Sequence, residues 1–302
     1  MNDSKEHYPV LLSETIDSLN IKPDGIYVDL TLGMGGHSSE ILKHLTTGHL
    51  YSFDKDSFAI EKSNERLSKI SNNFTLIKSD FKDIKSKLEE LNIYKVDGII
   101  ADLGISSPQI DNKERGFSYN KDAQLDMRMD QDQELDAKYI VNQYSQSELE
   151  NILWKYADVK LSKRVAKAII DNRPINGTLE LVDIIKSAYP AAILRQKNPA
   201  KAVFQAIRIE VNNELGSLEI MLKDAVELLK PNSTLSIITF HSIEDRIVKN
   251  YFKTLTVSKM PSKLPVMEVK KYQTKQISPS KSEIEENRRS KSAKLRIITK
   301  FE

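Results

Sequence analysis

Short apolar runs alternate with helical patterns through the first third of the chain, and each run closes on a polar residue. Ile26, Tyr27 and Val28 read as a buried strand closed by Asp29, and residues 49–54 as a second strand ending in Asp54. Residues 74–78 form a third, leading into Ser79, Asp80 and Phe81, and residues 96–101 a fourth that ends at Asp102. Between them, apolar positions recur with helical spacing at about 38–45, 60–70 and 84–91, after a short amphipathic helix over 13–19 with Ser13 as its N-cap. Strands that alternate with helices and end in polar residues predict a mostly parallel sheet with helices on both faces and a site along its carboxyl edge.

Between 106 and about 197 the alternation stops and helical patterns take over. Ser145 and Glu148 have the spacing of a capping box, and further helices fit 162–171 and 179–188. Val203, Ile207, Val211, Leu215, Leu218, Leu222, Val226 and Leu229 then recur at steps of four and three, so 199–230 reads as one long helix stopped at Pro231. Residues 233–240 return to a strand, and 294–299 alternate as a final edge strand. The pattern divides the chain into a core of 1–109 and 199–302 around a helical insertion of 110–198. Within the core's last part, 253–291 shows no periodicity and an excess of Lys and Arg, and reads as a basic, mobile arm.

The 302 residues are enough for two cores, and the absence of cysteine excludes a disulfide framework, a thiolate zinc site and a cysteine nucleophile. The N-terminus is charged, with no signal-type apolar segment, and no run of 18 apolar residues follows. The expectation is a soluble cytoplasmic protein with no membrane partner. A net charge of +2 does not by itself point to nucleic acid; the local excess over 259–291 raises phosphate contact there.

The chemistry starts at the first strand's exit, Asp29-Leu30-Thr31-Leu32-Gly33-Met34-Gly35-Gly36-His37. Strand, glycine turn and helix is a ligand-binding layout, since glycine lets backbone approach a ligand and the next helix presents free N–H groups. A dinucleotide fingerprint fails because Ser38 occupies the position of its third glycine. What fits is acid-x-Thr-x-Gly-x-Gly, the first motif of S-adenosylmethionine-dependent methyltransferases, with Thr31 where a first glycine is usual. Asp54, 21 residues beyond Gly33, is placed to accept hydrogen bonds from both ribose hydroxyls, although Asp29 and Asp54 could each merely cap a helix. Phe81 can pack on an adenine ring or serve as a core aromatic.

At the fourth-strand exit, Asp102-Leu103-Gly104-Ile105-Ser106-Ser107-Pro108-Gln109 stands where amino-methyltransferases carry an acid- or Asn-Pro-Pro-aromatic motif. An exocyclic base amine has its lone pair delocalised into the ring, so it needs acceptors to hold its hydrogens while the nitrogen becomes tetrahedral. Asp102 and Ser107 are the candidate catalytic residues; the alternative is a Ser-Pro turn capped by Asp102. No metal is required.

That segment, together with Arg115-Gly116-Phe117-Ser118, Leu125-Asp126-Met127-Arg128-Met129-Asp130, Phe204-Gln205-Ala206-Ile207-Arg208-Ile209 and Phe240-His241-Ser242-Ile243-Glu244-Asp245-Arg246, resembles the signature blocks of the RsmH/MraW family. This is the cytosine-N4 methyltransferase family of bacterial small-subunit ribosomal RNA, and the resemblance runs from His7 to about Lys300. It implies a Rossmann-like S-adenosylmethionine methyltransferase core with an inserted all-helical domain that recognises RNA. It also implies cofactor contacts from Gly35, Gly36, His37, Asp54, Phe81, Asp102 and Gln109, and 16S ribosomal RNA in the small subunit as partner. Asp126, Arg128, Arg208 and His241 are the candidate substrate residues, and a homodimer is compatible with this picture. The chain departs from the family at Asn198, Ala202, Asp158 and Lys291, none of them in the cofactor set. The rival readings are an amino-methyltransferase for adenine N6 and a non-catalytic RNA-binding assembly factor with the same fold.

Overall fold

The computed structural model describes residues 8–257 and 270–302. In chain order the elements are α1 (Leu12–Leu19), β1 (Ile26–Asp29), α2 (Gly36–His44), β2 (His49–Asp54), α3 (Ser57–Leu67), β3 (Phe74–Lys78), α4 (Ile84–Glu90) and β4 (Val96–Asp102). Then come α5 (Ser107–Asp111), α6 (Ala137–Gln143), α7 (Gln146–Ala157), α8 (Ser162–Asp171), α9 (Thr178–Ser187), α10 (Ala191–Leu194) and α11 (Ala200–Asn212). The last are α12 (Glu214–Leu228), β5 (Leu229–Thr239), α13 (Ser242–Thr256), β6 (Tyr272–Ile277), α14 (Lys281–Glu286) and β7 (Lys294–Lys300). Two compact units result, one of Met1–Gly104 with Gly216–Glu302 and the other of Ile105–Leu215.

The first unit is built on a seven-stranded sheet of order β3-β2-β1-β4-β5-β7-β6. The strands from β3 to β5 are parallel, and β7 alone reverses, pairing antiparallel with both β5 and β6. Successive residues of a strand point to opposite faces, so Tyr27 packs with Ile16, Leu19, Ile41 and Leu50, whereas Val28 packs with Leu218, Leu222 and Ile237. Both faces are thereby covered, as a parallel sheet requires. Strand order reverses between β1 and β4, and the carboxyl ends at such a reversal leave a crevice for a ligand. This is the mostly parallel sheet expected from the alternation, in the Rossmann-like form that the family resemblance implied.

The second unit is helical. Its core is formed by Ile140, Leu149, Leu153, Val165, Ile169, Leu181, Ile185, Val203 and Ile207, each fully or almost fully buried. Among the described residues no helix is long and apolar enough to cross a membrane.

Three expectations are corrected. The helix predicted over 199–230 is two helices, because Asn213 adopts the left-handed conformation (φ 47°) that asparagine tolerates better than most residues. The single apolar stripe serves two cores: Val203, Ile207 and Val211 belong to the helical unit, whereas Leu218, Leu222, Val226 and Leu229 pack on the sheet. The sheet unit accordingly resumes at Gly216 rather than at 199. Second, α1 starts at Leu12 and not behind a Ser13 cap; Leu11 precedes it with φ 52°, and its N–H donates to Glu283 Oε1 at 2.7 Å. Third, the described part of 253–291 is structured, with the end of α13, β6, α14 and a 3-10 turn at Arg288–Ser292. An edge strand with four exposed central residues and a six-residue helix with none buried carry no apolar alternation, so the pattern missed them. Residues 258–269 of the predicted arm, and His7, lie outside the described residues.

Candidate functional site

In the sheet unit the glycine turn is braced from below. Asp29, 1% exposed, accepts the Thr31 N–H through Oδ1 at 3.0 Å and the Ser38 hydroxyl through Oδ2 at 2.7 Å, and Ser38 Oγ lies 2.9 Å from Ser52 Oγ. Ser38, which breaks the dinucleotide template, is thus the side chain that ties turn, helix and strand together. Gly33 and Gly35 have φ of +50° and +72°. A Cβ on Gly35 would also lie 3.1 Å from Ser63 Oγ, and one on Gly36 would collide with Pro9. Glycine is demanded here by conformation and space together.

Asp54, at the end of β2, accepts the Gly33 N–H through Oδ2 at 2.8 Å and the Asp56 N–H through Oδ1 at 2.9 Å. Each carboxylate oxygen holds one backbone donor and keeps acceptor capacity, which suits a pair of vicinal hydroxyls. Burial pushes Asp29 and Asp54 up to about 6 each. Phe81 opens a 3-10 turn after β3, N-capped by Asp80, and packs half-buried against the sheet core.

Asp102 ends β4, its N–H donating to the Thr31 hydroxyl. That bond gives the non-glycine residue of the first motif a task that its spacing alone did not reveal. Asp102 Oδ1 is buried with no hydrogen-bond partner in the protein, and Oδ2 lies 3.9 Å from His37 Nδ1. Burial, reinforced by the negative charges of Asp29 and Glu244, pushes Asp102 up to about 8. His37 is 6% exposed, and its Nε2 lies 3.2 Å from the Val10 carbonyl, which puts the imidazole proton on Nε2. Burial lowers His37 to about 4, so at neutral pH it is uncharged and its contact with Asp102 is not an ion pair. Gly35, Gly36, His37, Asp54, Phe81 and Asp102 therefore all stand at the carboxyl edge of the sheet, on β1, β2, β3 and β4 exits. The orphaned acceptor on Asp102, the spare capacity of Asp54 and the crowded glycines fit a bound S-adenosylmethionine.

His241 is the N-cap of α13. Its Nδ1 accepts the Glu244 N–H at 3.4 Å while Glu244 Oε2 accepts the N–H groups of Phe240 and His241 at 3.0 and 3.3 Å. Its Nε2 sits 2.9 Å from Glu244 Oε1 without the alignment of a hydrogen bond. The bonds it makes are those of a helix cap.

In the helical unit, Ser107 is the first residue of α5 and is half-buried; Gln109 is buried, its Oε1 accepting the Ser106 N–H at 3.0 Å. The Arg128 side chain donates to Asp126 through two bonds of 3.0 and 2.8 Å and its backbone N–H through a third at 2.9 Å, and Arg128 Nη1 also donates to the carbonyls of Gln131 and Gln133. Arg208 grips Glu214 in the same two-pronged way at 2.7 and 2.8 Å. Arg115 donates to the carbonyls of Arg128 and Met129, and the buried Asn212 bonds the backbone of Met127, Met129 and Arg208. The blocks around 115, 126 and 208 thus brace one another within this unit, a role the spacing of charges did not disclose.

Comparison with known proteins gives the chain's family. The MraW methylase family model matches residues 4–301. The chain is 64% identical over 296 residues to the ribosomal RNA small subunit methyltransferase H of Mycoplasmopsis agalactiae, covering 98% of this chain and 99% of that one. It is 61% identical to the protein of the same name from Mycoplasmopsis synoviae, with 98% of both chains covered. Among solved structures, an rRNA methylase from Streptococcus thermophilus aligns over 97% of this chain and 93% of that one, at 13% identity and a TM-score of 0.39. The chain belongs to the MraW methylase family.

Proposed function

We propose that the protein methylates the exocyclic N4 amine of a cytidine in the decoding region of 16S ribosomal RNA, with the small ribosomal subunit as its partner. The observation that carries this reading is the buried, unpartnered Oδ1 of Asp102 at the exit of β4. A buried acceptor without a donor is costly unless a ligand supplies one, and an aromatic amine is such a donor. S-adenosylmethionine, when bound, supplies an electrophilic methyl group on a positively charged sulfur. Everything else is positioning. Asp54 holds a ribose through its spare acceptor sites, Gly35 and Gly36 let the backbone approach, and Phe81 offers an aromatic face. Asp102 accepts from the amine and draws its lone pair out of conjugation as the nitrogen becomes tetrahedral. In its ionised form Asp102 would be the stronger acceptor for that amine. His37, neutral and fixed through Val10, keeps the far side of the Asp102 carboxyl free of a competing cation. Ser107 receives its role as second acceptor from the sequence motif, and Gln109 its role as cofactor contact from the family resemblance. In the same reading Asp126, Arg128 and Arg208 hold loops and a helix end of the helical unit for the substrate, and His241 caps α13 in the sheet unit.

Two features support the target. The relatives with most of their length matched carry small-subunit ribosomal RNA in their names, and the Asp102 segment, with one proline, stands at the fourth-strand exit where amino-methyltransferases carry their Pro-Pro-aromatic motif. The test is nucleoside analysis of 16S ribosomal RNA from cells with and without the protein. N4-methylation of one cytidine should vanish with it; persistence of that mark, or loss of an N6-methyladenosine instead, would refute the assignment.

A further inference from the structure

The corner between α7 and α8 carries a surface that methyl transfer itself does not use. Trp154 is the only tryptophan of the chain and is 59% exposed on the last turn of α7, although its neighbours Ile152 and Leu153 are buried. The same corner carries Lys155, whose Nζ lies 5.1 Å from the Tyr156 ring centroid, Lys160 in the connection, and Lys163 and Arg164 on the first turn of α8, all exposed, against one exposed acid, Asp158. The corner is tight. Asp158 N–H bonds the Trp154 carbonyl at 3.1 Å, Val159 N–H the Leu153 carbonyl at 3.1 Å, and Ser162 N–H the Val159 carbonyl at 3.0 Å. Val159 is buried, so the connection between the two helix ends that carry the indole and these cations is pinned.

These charges contrast with others in the unit. Lys167 is paired with Asp171, Arg128 with Asp126 and Arg208 with Glu214, whereas Lys155, Lys160, Lys163 and Arg164 have no carboxylate partner among the described residues. Lys163 and Arg164 also sit at the end of α8 where the helix dipole disfavours cations, so they do not serve helix stability. An exposed indole among unneutralised cations is the composition of a stacking platform for an unpaired base, with phosphates on either side. A second copy docking through the same face would bring these cations against each other.

We propose that this corner binds single-stranded RNA, with Trp154 stacking one base and Lys155, Lys160, Lys163 and Arg164 holding the flanking phosphates. The inference rests on the reading that the substrate is RNA and names a surface through which the helical unit holds it.

Because Trp154 is the only tryptophan, its fluorescence reports on this corner directly. Titrating the full chain with an unstructured pyrimidine RNA oligonucleotide should quench it. Trp154→Ala should weaken binding by about 5- to 150-fold, and Trp154→Phe, which keeps a ring to stack on, should restore most of that affinity. Replacing the four cations with Ala should reduce the slope of log K against log salt by about 0.7 for each phosphate that is no longer neutralised. Binding of S-adenosylhomocysteine should stay the same in every variant. RNA binding without quenching, or with Trp154→Ala at wild-type affinity, would overturn this inference and leave the proposed reaction standing. A wild-type chain that binds no RNA at all would count against both. Quenching that grows with protein concentration in the absence of RNA, matched by dimers in sedimentation, would make the corner an interface between copies and also overturn it.

Discussion

Asp102 is a carboxyl group that the fold keeps protonated, and that arrangement has a measurable cost. Its pKa is raised by burial to about 8. The stability this gives is fully present below the unfolded value near 4 and is lost as pH rises through about 8. Asp29 and Asp54 act with the same sign over a window that closes near 6. Asp102→Asn removes the titrating group, so the ligand-free variant should gain Tm over the wild type as pH goes from 5 to 8, and the gap should level off above that. A gain of roughly 2–4 °C per kcal/mol is the expected scale for a chain of this kind. Thermal melts at several pH values check it. The same variant should lower single-turnover methyl transfer more than RNA affinity, because it removes charge where the amine is held. Asp54→Asn should weaken S-adenosylmethionine binding by about 1–3 kcal/mol in calorimetry, the scale of charge-assisted hydrogen bonds. The three strand-end acids looked alike in the sequence. They separate only in the fold, where Asp29 spends its oxygens on Thr31 and Ser38 while Asp102 has no donor for Oδ1, a difference set by neighbours distant in the chain.

Elements show which local signals survive folding. The central parallel strands β1, β4 and β5 were readable because both of their faces are buried, and the capping box at Ser145 reappears as written, with Glu148 bonding back to the Ser145 N–H. Signals failed where burial changes partner or is missing. An uninterrupted stripe crosses from one core to another at Asn213, and β6 is exposed along most of its length. The loop around Gly116 offers a test at this scale. Gly116 has φ +68°, and a Cβ there would collide with the carbonyl of Gln124 and lie 2.8 Å from Asp126 N. Gly116→Ala should therefore destabilise the helical unit by about 2 kcal/mol or more, read as a lower urea midpoint for that unit's transition. An unchanged midpoint would show that the braces from Arg115, Arg128 and Asn212 yield easily.

At the scale of the whole molecule, the two units answer different demands. The sheet unit places its acids and glycines at strand ends, where topology brings together positions as far apart as Asp29 and Asp102. The helical unit pairs Arg128 with Asp126 and Arg208 with Glu214 internally, and leaves the indole of Trp154 exposed. The net charge of +2 conceals that distribution, which is why composition was silent about RNA while the motif blocks were not. Transfer of a methyl group onto cytidine N4 is measured with purified protein. It is incubated with methyl-labelled S-adenosylmethionine and small subunits from cells that lack the modification, and the RNA is digested and its nucleosides weighed. The account predicts one labelled N4-methylcytidine per subunit, sharply reduced with Asp102→Asn; a label on any other nucleoside, or cofactor binding with no label in the RNA, would contradict it.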